Sequence, residues 1–259
     1  MTEAEKFECV LAELGQLLLS LGDLAEHVVL IGGQVLALEA RQKTGDATIQ
    51  VVTDTGITVP RGYSFEPDLL FDFEQQPQQA ERLPQILGAA GYKRTREHRW
   101  AKQVGEVAVE IDLFVPDDID DAVVPTGATR LPQGALALAR PQRLAVKLKD
   151  RELPLQVPSP AAFLALKLDA KLIHRPGETK DCFDIFAYVR LHTPKVVGPA
   201  LDAVHEGRAI RRDLYTLFGD VESPGVLDVL KYAATLDQQD QALLARSVVD
   251  LFAELASEP

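Results

Sequence analysis

The chain changes character at Val157-Pro158-Ser159-Pro160. Upstream, short apolar runs alternate with turns rich in glycine and proline and with a few helical stretches. Downstream, Ser159-Pro160 opens a helix, and the rest of the sequence reads as helical. Such a switch predicts two domains of different class, and 259 residues suit two modest domains at roughly 150 residues each. We therefore expect an α+β protein. A mixed β-sheet flanked by helices should occupy residues 1–157, and a helical domain residues 158–259.

Within the first part, Phe7, Val10, Leu11, Leu14, Leu17, Leu18 and Leu21 recur at helical spacing and predict an amphipathic helix over 4–21 that Gly22 ends. Residues 27–31 form a β-branched apolar run that meets Gly32-Gly33 and then a segment of good helix propensity, giving strand, glycine turn and helix. From 44 to 62 the composition shifts to Thr, Gly, Asp and Val, and two β-like pieces flank Thr-Asp-Thr-Gly. This stretch reads as an inserted hairpin. A dense apolar run over 68–73 predicts a central strand. A glutamine-rich turn at 75–79 then leads to a covering helix over 79–90 that Gly91 stops. Residues 93–104 and 106–115 predict a hairpin about Gly105, with Val109, Ile111 and Leu113 on one face of its second strand and Glu110, Asp112 and Phe114 on the other. Two more pieces, 143–148 and 153–157, extend the sheet.

Apolar residues make up 46% of the chain and charged residues 25%, which excludes wholesale disorder and a disulfide-dense scaffold. No window carries the roughly 18 apolar residues of a membrane span, and the acidic, amphipathic start is unlike a signal peptide. A cytoplasmic protein with no membrane partner is expected. Cys9 and Cys182 suit a reducing compartment as buried thiols. A net charge of −12 repels bulk nucleic acid and anionic membrane, so phosphate chemistry must come from a local basic patch or from metal ions.

Several residue types are arranged as that chemistry would need them. Glu66 and Asp68 lie two apart at the entry of an apolar strand, where strand geometry sends both carboxylates to one face. Asp112 adds a third carboxylate if its strand is a neighbour, and three such acids can hold a pair of Mg²⁺ ions. Gly32-Gly33 opens a helix whose free N–H groups can hold a phosphate. Leu164, Lys167, Lys171 and His174 fall on one side of the helix from Ala161 as a basic stripe. The next helix starts at Thr179, a suitable N-cap, and sets Asp181, Asp184 and Tyr188 on one face. Each signal alone has a plainer reading: solvated strand ends, a tight turn, a solvated lysine face, an acid favouring a helix N-terminus.

Their order and spacing resemble the nucleotidyltransferases of the DNA polymerase β superfamily, most closely the AbiEii-type group that includes bacterial toxin enzymes. The resemblance runs over roughly 25–190 and rests on Val-Leu-Ile-Gly-Gly, Arg-Gly-Tyr-Ser-Phe-Glu-Pro-Asp-Leu-Leu-Phe-Asp, Val-Glu-Ile-Asp-Leu-Phe and the later Lys167 and Lys180-Asp181 segments. It implies a nucleotidyltransferase-like fold and transfer of a nucleoside monophosphate from an NTP to an acceptor hydroxyl with Mg²⁺ or Mn²⁺. Glu66, Asp68 and Asp112 would hold the metal. Gly32, Gly33, Ser64 and Lys171 would bind the nucleotide, Lys167 would neutralise phosphate charge, and Asp181 would orient Lys167 or the acceptor. An RNA or small-molecule acceptor and an antitoxin protein partner also follow from the resemblance.

The chain departs from the family in the long separation between turn and acidic pair, and in having Glu66-Pro67 where Asp is usual. A competing segment, Arg-Gln-Lys-Thr-Gly-Asp-Ala-Thr at 41–48, nearly repeats the motif through Asp46, but Thr48 stands in place of its second acid. Two rivals accompany the enzyme reading: a degenerate member that binds nucleotide or a partner without turnover, and a small-molecule, antibiotic-type transferase. An RNA acceptor would require a patch from Arg94, Arg96, Arg99, Lys167, Lys171 and Arg175. As a cation that faces a cleft and acts on the nucleotide, Lys167 should on replacement by Ala lose most turnover while stability changes by no more than roughly 0.5 kcal/mol.

Overall fold

The structure is a computed structural model and describes residues 1–74, 77–148 and 151–256. In chain order the elements are α1 (Glu3–Leu21), β1 (Val28–Ile31), α2 (Gly33–Thr44), β2 (Ile49–Val52), β3 (Thr58–Gly62), β4 (Asp68–Phe71) and α3 (Pro77–Ala89). There follow β5 (Lys93–Arg94), β6 (Arg99–Val104), β7 (Val107–Pro116), β8 (Thr129–Leu131), α4 (Gly134–Ala139), β9 (Gln142–Leu148) and β10 (Arg151–Val157). The remainder is helical: α5 (Pro160–Asp169), α6 (Lys180–His192), α7 (Pro194–Asp202), α8 (Gly207–Phe218), α9 (Pro224–Tyr232) and α10 (Gln238–Ala256). The protein is α+β. Among the described residues no helix is long and apolar enough to cross a membrane.

Contacts divide the chain into two units, Met1–Ala47 with Tyr63–Ser159, and Thr48–Gly62 with the chain from Pro160 onward. In the first, eight strands form one mixed sheet in the order β5-β6-β7-β4-β1-β10-β9, with β8 paired to the far end of β7. β1, the run of β-branched and leucine residues before the glycines, is buried along its whole length. It pairs antiparallel with β4 and parallel with β10, which makes it an inner strand and explains its unbroken apolar character. α1 begins with a capping box in which the Thr2 hydroxyl accepts from Glu5 N–H and the Glu5 carboxylate accepts from Thr2 N–H at 2.7 Å. Its leucine and valine stripe is buried, and Gly22, at φ +57°, ends it. The short β8 and α4 have no periodicity long enough to be read from sequence. The expected glutamine-rich turn falls partly outside the described residues.

In the second unit, α5 packs on α6, α7 and α8, while α10 covers α7, α8 and α9. Stacked ring pairs, Phe163 on Tyr188 at 4.0 Å and Phe218 on Phe252 at 4.1 Å, fill its core. The hairpin expected as an insertion is β2–β3, a two-stranded sheet of its own. It belongs by its contacts to the helical unit and not to the sequence domain in which it is inserted. Ile49, Val51 and Val59 alternate with exposed positions, and a two-stranded ribbon with one apolar face needs cover, which α6 and α9 supply. Arg190 of α6 donates to the Val52 carbonyl at 3.0 Å and pairs with Asp54.

Candidate active site

In the first unit the glycine turn and two of the expected acids come together at one end of the sheet. β1 leads into Gly32 (φ +78°), the N-cap of α2, and Gly33 opens that helix, whose first-turn N–H groups have no intrahelical partner. The antiparallel register of β1 and β4 sets Ile31 opposite Asp68. A Cβ at Gly32 would lie 2.1 Å from Asp68 Oδ2, so glycine is required both by the backbone conformation and by the carboxylate against it. Gln34, directly after Gly33, is fully buried, and neither its amide nitrogen nor its oxygen has a hydrogen-bond partner among the described residues. Sequence reasoning passed over it, although an amide directly after the turn in an otherwise apolar run was the available signal.

β4 and β7 are parallel neighbours with Asp68 directly opposite Asp112, and β6 pairs antiparallel with β7 with Arg99 opposite Asp112. Asp68, Asp112 and Arg99 thus form a row across three adjacent strands, on a common face. Arg99 grips Asp112 with a two-pronged fork, Nε to Oδ1 at 2.7 Å and Nη2 to Oδ2 at 2.7 Å. It also donates to Glu110 at 2.8 Å and to Glu66 at 2.9 Å. The Asp112 hydrogen bond, then the charges of Asp112, Glu66 and Glu110, hold the Arg99 guanidinium above its already high pKa against partial burial. The backbone N–H of Asp112 donates to Pro67 O at 3.0 Å, which fastens the Glu66-Pro67-Asp68 segment to β7.

Glu66 itself corrects an expectation. The strand starts at Asp68, so strand alternation does not govern Glu66, whose half-exposed side chain reaches the row only through Arg99. Ser64 sits in the same coil ahead of β4, partly buried. Among the described residues no three Asp, Glu, His or Cys side chains form a ready metal cage. The Asp68–Asp112 pair is an all-oxygen donor set, and Mg²⁺ is commonly held by one or two carboxylates together with substrate phosphates, so the pair fits such an ion. The competing Asp46 lies past the C-terminal end of α2, whose 12 residues span roughly 18 Å, and accepts a hydrogen bond from Tyr63 at 3.4 Å.

In the second unit the expected basic stripe is not a solvated face. Lys167 is buried, with Nζ 2.6 Å from Asp184 Oδ2 and 3.1 Å from Asp181 Oδ1. Spacing of three on α6 brings both acids to the same side, and both are fully buried. Arg61 of β3 lies 2.8 Å from the other Asp184 oxygen, and Arg175 donates to Asp181 at 3.1 Å. Burial pulls the Lys167 ammonium down, but the charges of Asp184 and Asp181 and the hydrogen bond to Asp184 outweigh it, and its pKa is raised.

Lys171, expected at the nucleotide, is buried too. It donates to the Pro176 carbonyl at 2.6 Å, the Glu178 carbonyl at 3.0 Å and Asp228 at 2.5 Å, which uses all three ammonium protons and leaves none for a phosphate. His174 instead pairs with Asp169 at 3.1 Å. With Arg99 held by three acids and both lysines internal, the six-residue basic patch expected for RNA is not formed as such. Thr179 is helical in backbone and its side chain caps nothing, so α6 begins without the expected cap. Burial, ahead of nearby charges, pushes the Cys182 thiol up to about 12, while Cys9 is only half-buried, against the expectation for it.

No model of a known protein family matches this chain, and no curated protein sequence matches it.

Proposed function

We propose that the protein is a metal-dependent nucleotidyltransferase that moves a nucleoside monophosphate from an NTP to an acceptor hydroxyl. The observation that supports this best is the row at the sheet end, where Asp68 abuts the Gly32 turn and stands directly beside Asp112. Phosphoryl transfer needs a cradle of N–H groups and a carboxylate pair within one nucleotide's reach, and few other reactions need both. Asp68 and Asp112 would hold Mg²⁺ or Mn²⁺, which when bound polarises the phosphoryl oxygens and neutralises charge on the leaving pyrophosphate. The Gly32 and Gly33 N–H groups and Ser64 bind the triphosphate, and Asp112 accepts the proton of the acceptor hydroxyl. Lys167, kept cationic by Asp184 and Asp181, neutralises those buried acids within the helical unit.

The acceptor is more in keeping with a small cationic molecule than with RNA. Four of the six cations an RNA patch would use, Arg99, Lys167, Lys171 and Arg175, are spent on internal acids, and the net charge is −12. The deciding experiment incubates the protein with each α-labelled NTP and Mg²⁺ in the presence of RNA, protein or small-molecule pools. Label in the small-molecule pool supports this acceptor, and label in RNA returns the toxin-type reading. Mg²⁺-dependent NTP binding with no label anywhere identifies a degenerate, non-catalytic member.

A further inference from the structure

Three carboxylates, Glu66, Glu110 and Asp112, converge on one cation, Arg99, at distances of 2.7 to 2.9 Å. Four donor contacts of the five-donor guanidinium are spent on them. The arrangement is set by the fold, since Arg99 is the direct cross-strand partner of Asp112, which is itself the direct partner of Asp68. A chance surface ion pair has no such register behind it. Arg99 therefore offsets the repulsion between acids that the sheet forces side by side.

We propose that Arg99 is a built-in counterion that competes with the divalent cation for Asp112 and so sets the metal affinity of the site. The proposal rests on reading Asp68 and Asp112 as metal ligands. Both Asp112 oxygens already accept from Arg99 at 2.7 Å. A divalent ion at roughly 2.1 Å from either oxygen would face the guanidinium at close range. The Asp112 side chain is 9% exposed and that of Arg99 17%, so water screens this repulsion poorly. Metal entry must draw the guanidinium off Asp112, and Glu110 and Glu66 remain to hold it. A neutral residue at 99 removes the competitor.

The test is Mn²⁺ binding to the full chain without nucleotide, followed by electron paramagnetic resonance of free Mn²⁺, for wild type, Arg99→Gln and Arg99→Lys. Arg99→Gln should bind Mn²⁺ about fivefold or more tightly than wild type. In EDTA its melting temperature should fall, and Mn²⁺ should restore more of it than Mn²⁺ adds to wild type. Arg99→Lys keeps the charge but loses the fork, so its affinity should lie between the two, and this variant carries the test if Arg99→Gln does not fold. Asp112→Asn should lose binding in either background. If wild type binds Mn²⁺ and the substitutions leave affinity unchanged or weaker, the counterion proposal is overturned while the metal-site reading stands. If no variant binds Mn²⁺, the metal-site reading fails and takes the proposal with it.

Discussion

Asp68 and Asp112 are direct partners on adjacent parallel strands, so their carboxylates leave one face of the sheet side by side. Strands lie roughly 4.8 Å apart, a span that one divalent ion bridges with an oxygen from each side. We expect Asp68→Asn and Asp112→Asn each to lower nucleotide transfer by about 10²-fold or more at unchanged fold. Glu66→Gln should cost less, because Glu66 meets the row only through Arg99. Asp46→Asn should leave turnover at the wild-type rate. Loss of activity in Asp46→Asn with retention in Asp68→Asn would move the acidic motif to 41–48.

Gly32 and Asp68 are coupled by space as well as by chemistry. Alanine at 32 meets φ +78° with ψ −163°, a region essentially reserved for glycine at a cost of about 1–3 kcal/mol, and a carboxylate oxygen 2.1 Å from its Cβ. Removing that oxygen relieves the second cost and leaves the first. Urea unfolding of Gly32→Ala, Asp68→Ala and the double variant should therefore show that the two losses do not add, the double being less destabilised than their sum. Strict additivity would mean that the turn and the acid are independent.

Much of this site was legible because it is written in local patterns. The Val28–Ile31 run before two glycines, and the alternation of Val109, Ile111 and Leu113 against Asp112, are short-range signals that strand geometry converts directly into position. Register is not local. That Asp112 faces Asp68 on one side and Arg99 on the other depends on strand pairings made across 44 and 13 residues of sequence, and nothing near Arg99 marks it as the partner of three acids. The lysines failed for a different reason. Helical spacing assigns Lys167 and Lys171 to one side of a helix, but whether that side meets water depends on Asp184, Asp181 and Asp228, which arrive from other helices. The hairpin at 49–62 was readable as a hairpin, whereas the unit it packs on was not.

For Lys171 the expected behaviour is structural. Lys171→Met leaves Asp228 buried without its internal cation and two carbonyls without their donor, so the protein should lose about 3 kcal/mol or more of stability. Measured below the melting temperature, KM for NTP should be unchanged. The pH dependence has a definite sign. Burial raises the Asp228 carboxyl, but hydrogen bonds from Lys171 and Lys231 outweigh it and its pKa is lowered. The pair therefore contributes stability above the unfolded value of about 3.9 that is lost as pH falls through the lower folded value. Lys171→Met should flatten that acid limb. A raised KM at wild-type stability would return Lys171 to the nucleotide.

Lys167 gives the mirror-image test. A surface cation could be removed for less than about 0.5 kcal/mol, but this one is buried between two fully buried carboxylates. Lys167→Ala leaves Asp184 with Arg61 and Asp181 with Arg175 only, and the loss should be about 3 kcal/mol. Adding Asp184→Asn to that variant removes the uncompensated charge and should recover part of it. The folded pKa of Lys167 lies above the unfolded value of about 10.4, so its contribution is complete below that pH and disappears as pH rises through the folded pKa. Thermal melts of wild type should therefore weaken in strong alkali, and those of Lys167→Ala should lack that component of the decline. Equal alkaline limbs in the two proteins, with equal stability at pH 7, would put the ammonium in water and remove it from the network that holds Asp181 and Asp184.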